Sequence, residues 1–459
     1  MPDLRGEFNM NSTLEKLRKE YITQMLANDS IDLELYAQYD VKRGLRNADG
    51  TGVLVGLTRV GDVHGYDKID GKKVAVPGKL FYRGIDVEEI INAAGKERRF
   101  VFEETVYLLM FGQLPKQDQL DNFTALLGSL RTLPKNFAED SIMKFPAKEI
   151  MNKLARSMLT LYSYDEDPEN QSPENALRQC LELIARFPVI VAYSYMAKKH
   201  YFNRDSLILH LPDPAASTAE TILSLIRPDK KYTPLEAEIL DMALVLHAEH
   251  GGGNNSTFAV HLVSSADTDT YSAIAAGIGS LKGFKHGGAN IKVMEMMEDV
   301  KKNVKNWENE TEVTDYLVSI LKGEAYDRSG LIYGQGHAVY TVSDPRVKLL
   351  RDKAETLAKE KDMLKEFNLY YLIERITPEV FKKVKGSTKE ICTNVDFYSG
   401  FVYRMLGIPE DVYTPIFAIS RVAGWCAHRM EELISGGRII RPAYKCVQDT
   451  LSYTPMEKR

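Results

Sequence analysis

A chain of 459 residues, 44% hydrophobic and 27% charged, can bury a large core and lies outside the composition of disordered chains. Its net charge of −5 argues against a nucleic-acid or membrane-surface protein, while leaving room for a local basic pocket for an anionic ligand. Cys180, Cys392, Cys426 and Cys446 are widely separated, which fits a reducing compartment and offers no structural zinc framework.

The N-terminus mixes Asp3, Arg5, Glu7, Glu15 and Lys16 and has no apolar h-region, so no secretory signal or acid-poor transit peptide is expected. From Gly52 to Val60 the chain is rich in glycine and β-branched residues and does not read as helix. Val74 to Tyr82, with Pro77-Gly78 inside it, predicts a small hairpin. Thr233-Pro-Leu-Glu236 is a capping box with proline at the first helical position. It opens a helix that carries Leu235, Ile239, Met242 and Leu246 on one face and ends at Gly251-Gly252-Gly253. Further helices are predicted from Tyr271 to Leu281, from about Ala289, from Leu349 to Arg375 and from Tyr413 to Ile434. The longest apolar stretch, around 412–427, is interrupted by Arg421 and is shorter than the roughly 20 residues of a bilayer span. The expected setting is cytoplasmic, and the expected fold is mainly α with minor β near the N-terminus.

Four places break the local pattern. In His247-Ala-Glu-His250-Gly-Gly-Gly-Asn254 the histidines are three apart at a helix C-terminus, where they could bind a ligand or merely stabilise the helix end. Zinc-protease histidines are four apart and no third ligand is nearby, so no metal is expected. Lys285-His286-Gly-Gly-Ala-Asn290 opens a helix, and its histidine would be kept neutral there and able to donate to a carbonyl becoming an enolate, or would simply cap a turn. Gly336-His337-Ala-Val-Tyr340 with Asp344-Pro-Arg346 offers two donors for a small carboxylate, or an Asp-Pro turn with a surface arginine. Asn394-Val-Asp396-Phe-Tyr-Ser-Gly400 precedes a helix carrying Arg421, and Asp396 could be a helix cap. Arg421 is the only charged residue between Asp411 and Arg429 and needs an anion, structural or bound. Three histidines, a carboxylate and several arginines, with no G-x-S-x-G and no Walker loop, suit C–C bond chemistry on a dicarboxylate.

These motifs, in this order, make the chain resemble the citrate synthases. The similarity is dense from Leu246 to about Pro442 and weaker at Leu80-Phe-Tyr-Arg-Gly-Ile-Asp86. The resemblance implies condensation of acetyl-CoA with oxaloacetate, with no cofactor and no metal. It implies a homodimer with a large helical domain (1–287 and 408–459) and a smaller inserted helical domain (288–407). It makes Asp396 the base, His286 the enol stabiliser and His337 the group that polarises the oxaloacetate carbonyl. His250, Arg346 and Arg421 fall at oxaloacetate-binding positions, and Arg441 at an arginine reaching in from the partner subunit. Ser256 would support His286, and Lys389 falls near CoA. Thr341 stands where relatives often have a basic residue near the CoA phosphates. The same residues are compatible with 2-methylcitrate synthase, which takes propionyl-CoA; one methylene shifts discrimination by only about 1–3 kcal/mol.

Overall fold

The computed structural model describes the backbone of residues 4–386 and 391–459, and side chains from residue 13 onward. Lys389, expected near CoA, lies outside the described residues. The chain divides into two compact units, 1–55 and 56–459. In the first, helices α1 (Leu4–Asn28) and α2 (Glu34–Gln38) are followed by a 3-10 turn, Arg43–Leu45, and an isolated bridge between Arg46 and Gly52.

The second unit opens on a three-stranded antiparallel sheet of β1 (Gly61–Ile69), β2 (Lys72–Tyr82) and β3 (Ile85–Asp86). The hairpin expected inside Val74–Tyr82 is instead formed by β1 and β2, with Ile69 paired to Lys72 across Asp70-Gly71. Asp70 and Gly71 have φ of 51° and 76°. A two-residue turn with both φ positive matches the right-handed strand twist, whereas Pro77 cannot donate to a ladder. Pro77 sits where the register shifts between His64 and Tyr66, so the bulge absorbs it.

The helices follow in order: α3 (Val87–Glu97), α4 (Phe102–Phe111), α5 (Gln117–Leu130), α6 (Ile150–Leu161), α7 (Pro173–Lys198), α8 (Thr218–Ile226), α9 (Pro234–His247), α10 (Asn255–Ser264) and α11 (Thr270–Leu281). Then come α12 (Ala289–Asn303), α13 (Glu310–Leu321), α14 (Pro345–Glu360), α15 (Leu364–Lys385), α16 (Asp396–Met405) and α17 (Tyr413–Ser435). The fold is mainly α, as the sequence predicts. The Thr233 capping box is present. The single helix expected over Leu349–Arg375 is two, α14 and α15, because the chain breaks at Lys361–Met363, where Asp362 takes a φ of 55°.

The core runs along α7 and α17, which pack on each other; α17 also packs on α4, α9, α10 and α11. Helix α7 is long and apolar enough to cross a bilayer, yet most of that length is buried within the protein. Two glycines set distances that matter for the site. A Cβ on Gly424 of α17 would overlap the Ala248 carbonyl and the Glu249 carboxylate, so glycine lets the end of α9 lie directly on α17. A Cβ on Gly78 would overlap the Ser343 carbonyl and the Tyr340 ring; Gly78 N–H instead donates to Ser343 O at 3.1 Å, docking loop 337–344 on the sheet. Helix α12 packs chiefly on α16, α13 on α15, and α14 on α15, α16 and α9.

Candidate active site

The segment after α9 places two histidines in different surroundings. His247 is buried, its Nδ1–H donating to Ala243 O at 2.7 Å and its ring 4.7 Å from that of Phe417. Burial pushes its pKa down to about 3, so it is a neutral core histidine. His250 faces the loop of His337, with ring centroids 5.1 Å apart, and Tyr340, at 5.7 Å. Its Nε2 is buried and has no hydrogen-bond partner among the described residues. Burial, then Arg346 and His337, holds its pKa well below the usual imidazole range.

The third and fourth motifs are joined through their backbones. Gln335 bridges to Thr393, Gly336 N–H donates to Cys392 O at 2.7 Å, and Asn394 N–H donates to Gly334 O at 2.9 Å. Asn394 Nδ2 donates to Gly336 O at 2.8 Å, while its Oδ1 accepts Asp396 N–H at 3.0 Å. This pairing carries His337 and Asp396 on neighbouring chain segments 59 positions apart in sequence. His337 Nδ1 accepts the N–H groups of Val339 and Tyr340, both at 3.1 Å. The neutral ring therefore carries its proton on Nε2, a donor for a ligand. Asp396 is the first residue of α16, and the cap is the Asn394 side chain; the Asp396 carboxylate is not used for capping. Burial pushes the Asp396 pKa up to about 6 against the pull of Arg346, with Asp344 adding to the rise and Arg421 opposing it.

Two buried arginines face this group. Arg346, in the first turn of α14, is held by its own N-cap: Nε donates to Asp344 Oδ1 at 3.0 Å and Nη2 to Oδ2 at 2.7 Å. Arg421 is fully buried in α17, with Nε donating to His247 O at 2.7 Å and Cζ 4.8 Å from the Phe417 centroid. Its Nη1 and Nη2 have no hydrogen-bond partner among the described residues. Burial pushes its pKa down to about 10, with Glu249 opposing. Of the five N–H donors on this planar fork, the four on Nη1 and Nη2 are buried and unused among the described residues, which makes a receptor for a carboxylate.

His286 lies in the turn before α12, half-buried, its ring 6.2 Å from that of Phe417. Its Nε2 is 3.0 Å from Ser256 Oγ and 3.1 Å from Asn254 Oδ1. Trp425 Nε1–H donates to the same Ser256 Oγ at 3.2 Å. Burial, then Arg421, pushes the His286 pKa down to about 4, so the ring is neutral near pH 7.

His250, His337, Arg346, Arg421 and Asp396 thus share one buried region, and His286 stands beside it across Phe417. Arg441 is not in it. It is exposed in the segment after α17, which has no regular secondary structure, and makes no hydrogen bond or ion pair among the described residues. Sequence reasoning gives no role to three contributors that lie within its motifs: Glu249, the buried carboxylate facing Arg421; Asn254, which caps α10 and touches His286; and Asp344, which holds Arg346. The available signal was Asn254 directly before a helical run and Asp344 directly before proline.

Comparison with known proteins agrees over most of the chain. Residues 49–443 match the family model described as citrate synthase, C-terminal domain. The citrate synthase of Haloferax volcanii is 33% identical over 425 residues, covering 92% of this chain and 99% of that protein. A 2-methylcitrate synthase of Shewanella oneidensis is 32% identical over 371 residues, covering 81% of this chain and 89% of its own. Among solved structures, the Thermoplasma acidophilum citrate synthase, in a ternary complex with carboxymethyl coenzyme A and oxaloacetate, superposes with a TM-score of 0.74 at 25% identity, covering 91% of this chain and 99% of that one. With its motifs, helical fold and relatives in agreement, the chain belongs to the citrate synthase family.

Proposed function

We propose that this protein condenses acetyl-CoA with oxaloacetate and hydrolyses the product to citrate and free CoA. The observation that carries this reading is the set of buried nitrogens without a partner among the described residues, Arg421 Nη1 and Nη2 and His250 Nε2, in the region that also holds Asp396. Oxaloacetate is a dianion, and such a cluster is suited to hold it.

In this reading the Asp396 carboxylate removes a proton from the acetyl methyl group. Charge develops on the thioester oxygen, where His286 donates a hydrogen bond. The enolic carbon attacks the oxaloacetate ketone, whose oxygen is polarised by His337 Nε2–H. Water then cleaves the thioester of the citryl-CoA, releasing the thiol and citrate. The methyl group is a very weak acid, so a base alone is insufficient. An oriented donor at the oxyanion supplies on the order of 3–4 kcal/mol, and a placed base roughly 10²–10⁴-fold.

No cofactor is needed, acetyl-CoA being a substrate, and the setting is cytoplasmic. Segment 288–407 acts as the smaller lobe: it carries His337, Arg346 and Asp396, while His250 and Arg421 belong to the larger one. A dianion touching both sets favours closure, which also keeps water from acetyl-CoA before condensation. The protein acts as a homodimer, with Arg441 serving the partner's site.

A second reading, 2-methylcitrate synthesis from propionyl-CoA, draws support from relatives of that activity at 32% identity, beside citrate synthases at 33–34%. Thiol release with oxaloacetate and either acetyl-CoA or propionyl-CoA separates the two. A higher kcat/KM with acetyl-CoA is expected; preference for propionyl-CoA selects the second reading, and release with neither overturns both.

A further inference from the structure

Beside the candidate site a second cluster joins α10 to α17. His261 of α10, and His428 and Glu431, three apart on α17, bring Nε2, Nδ1 and Oε2 within 4.8 Å of one another. The outer atom of each is already engaged. His261 Nδ1 is 3.1 Å from Glu432 Oε2, and His428 Nε2 is 3.0 Å from Glu249 Oε1. Glu431 Oε1 accepts Arg59 N–H at 2.6 Å.

A carboxylate only accepts, so each imidazole turns an N–H outward to its glutamate. In the neutral rings the inner nitrogens, His261 Nε2 and His428 Nδ1, are then both lone pairs, yet they stand 3.0 Å apart. Glu431 Oε2 lies 3.8 Å from His428 Nδ1, buried and without a hydrogen-bond partner among the described residues. Thr58 Oγ1 is 3.5 Å from the same nitrogen. Three electron-pair donors thus converge, and the space between them takes either a proton on one imidazole or a metal ion bound by all three.

We propose that His261, His428 and Glu431 bind a divalent first-row metal ion, with zinc the best fit, and Thr58 or water in the fourth position. Imidazole and carboxylate ligands suit such an ion. Metal–ligand distances of about 2.0–2.2 Å require donors roughly 3.0–3.6 Å apart, which the His261–His428 and His428–Glu431 separations of 3.0 and 3.8 Å approach to within a few tenths of an ångström. Both histidines already have the carboxylate on the far nitrogen that metal-bound histidines usually have. The ion clamps α10 to α17 and, through Glu249, steadies the segment that carries His250. This role is structural and separate from the proposed reaction. The sequence reading expects no metal from the spacing of His247 and His250; His261 and His428 are 167 positions apart, so no local spacing motif reports them.

The test uses the untagged full chain, stripped with a chelator, dialysed into metal-free buffer and titrated with Co²⁺ and with Zn²⁺. The expected result is one ion per chain, visible ligand-field bands with Co²⁺, and a higher thermal midpoint with Zn²⁺. His261→Gln and Glu431→Gln should each weaken binding at least about tenfold. Should His261→Gln fail to fold, the wild-type titration and Glu431→Gln decide. Wild-type protein that binds no stoichiometric ion overturns the proposal and leaves the two imidazoles sharing a proton. Unchanged affinity and bands in folded Glu431→Gln also overturn it.

Discussion

Ser256 Oγ and His286 Nε2 lie 3.0 Å apart, and the single hydroxyl proton between them decides which ring nitrogen can serve a substrate. Ser256 Oγ accepts from Trp425 Nε1–H, and its own proton has two acceptors, His286 Nε2 and Asn254 Oδ1, the latter at 2.9 Å. If the proton points at His286, the neutral ring carries its hydrogen on Nδ1 and can donate to an oxyanion. If it points at Asn254, Nε2–H donates inward and Nδ1 has only a lone pair to offer. The proposed enol-stabilising role requires the first arrangement.

Ser256→Ala should therefore lower kcat at least about tenfold, the effect of roughly 1.4 kcal/mol at the transition state, with little change in oxaloacetate affinity. Nitrogen-15 NMR of the wild-type His286 ring should report a protonated Nδ1 and the variant a shift toward Nε2–H. A wild-type ring protonated at Nε2 alone would remove the donor role from His286.

Asp396→Asn should abolish most turnover while oxaloacetate still binds, since the amide cannot take the methyl proton. In the wild type, kcat/KM should fall below about pH 6, where the buried carboxylate protonates. Stability should move the other way. The folded pKa lies above the ordinary 3.8, so charging Asp396 in the fold is unfavourable, and stability is lost as pH rises through about 6. The Asn variant escapes this cost. It should be more stable than wild type by about 1–3 kcal/mol at pH 8, allowing for partial solvent access, and no more stable below pH 4. Scanning calorimetry at the two pH values checks the sign; an Asn variant less stable at pH 8 would contradict a buried, raised carboxylate.

Much of this site is legible in the sequence because its motifs are local: His250 and His286 flank helix ends, and Asp396 opens one. Arg421 is legible as a lone charge in an apolar helix, and the structure finds two of its nitrogens without partners. What the sequence hides is tertiary. That Asp344 already occupies Arg346 depends on the geometry of one helix turn, and that Glu249 faces Arg421 depends on glycine at position 424. The hairpin was misplaced because Pro77-Gly78 looks like a turn, while Asp70-Gly71 forms it and a bulge accommodates the proline.

The two arginines should respond differently to truncation. Arg346 is neutralised by Asp344, whereas Arg421 presents two unpartnered nitrogens. Arg421→Met should weaken oxaloacetate binding roughly 30-fold or more, from loss of about 2 kcal/mol or more at a desolvated charge pair. Oxaloacetate should raise the thermal midpoint of the wild type but scarcely that of the variant at the same concentration. Equal stabilisation of both proteins would place the dianion elsewhere.

Arg441 should act on the neighbouring subunit. The segment after α17 has no regular secondary structure; Ile440 N–H is anchored on Ser265 Oγ at 3.0 Å, and Arg441 beyond it is exposed. The following residues leave large apolar side chains in solvent, with Tyr444 95%, Leu451 78% and Tyr453 80% exposed. An apolar tail of this kind is suited to lie on a second copy, carrying Arg441 with it. Complementation tests the arrangement. Homodimers of Asp396→Ala and of Arg441→Ala should each be nearly inactive, because every site lacks one group. In a mixed dimer with two-fold symmetry and trans action, one site carries both defects and the other neither. Random pairing makes half the dimers mixed, so co-expression should restore roughly a quarter of wild-type activity. If Arg441 serves its own chain, both sites of the mixed dimer remain defective, and verified mixed dimers without recovered activity rule out the trans arrangement.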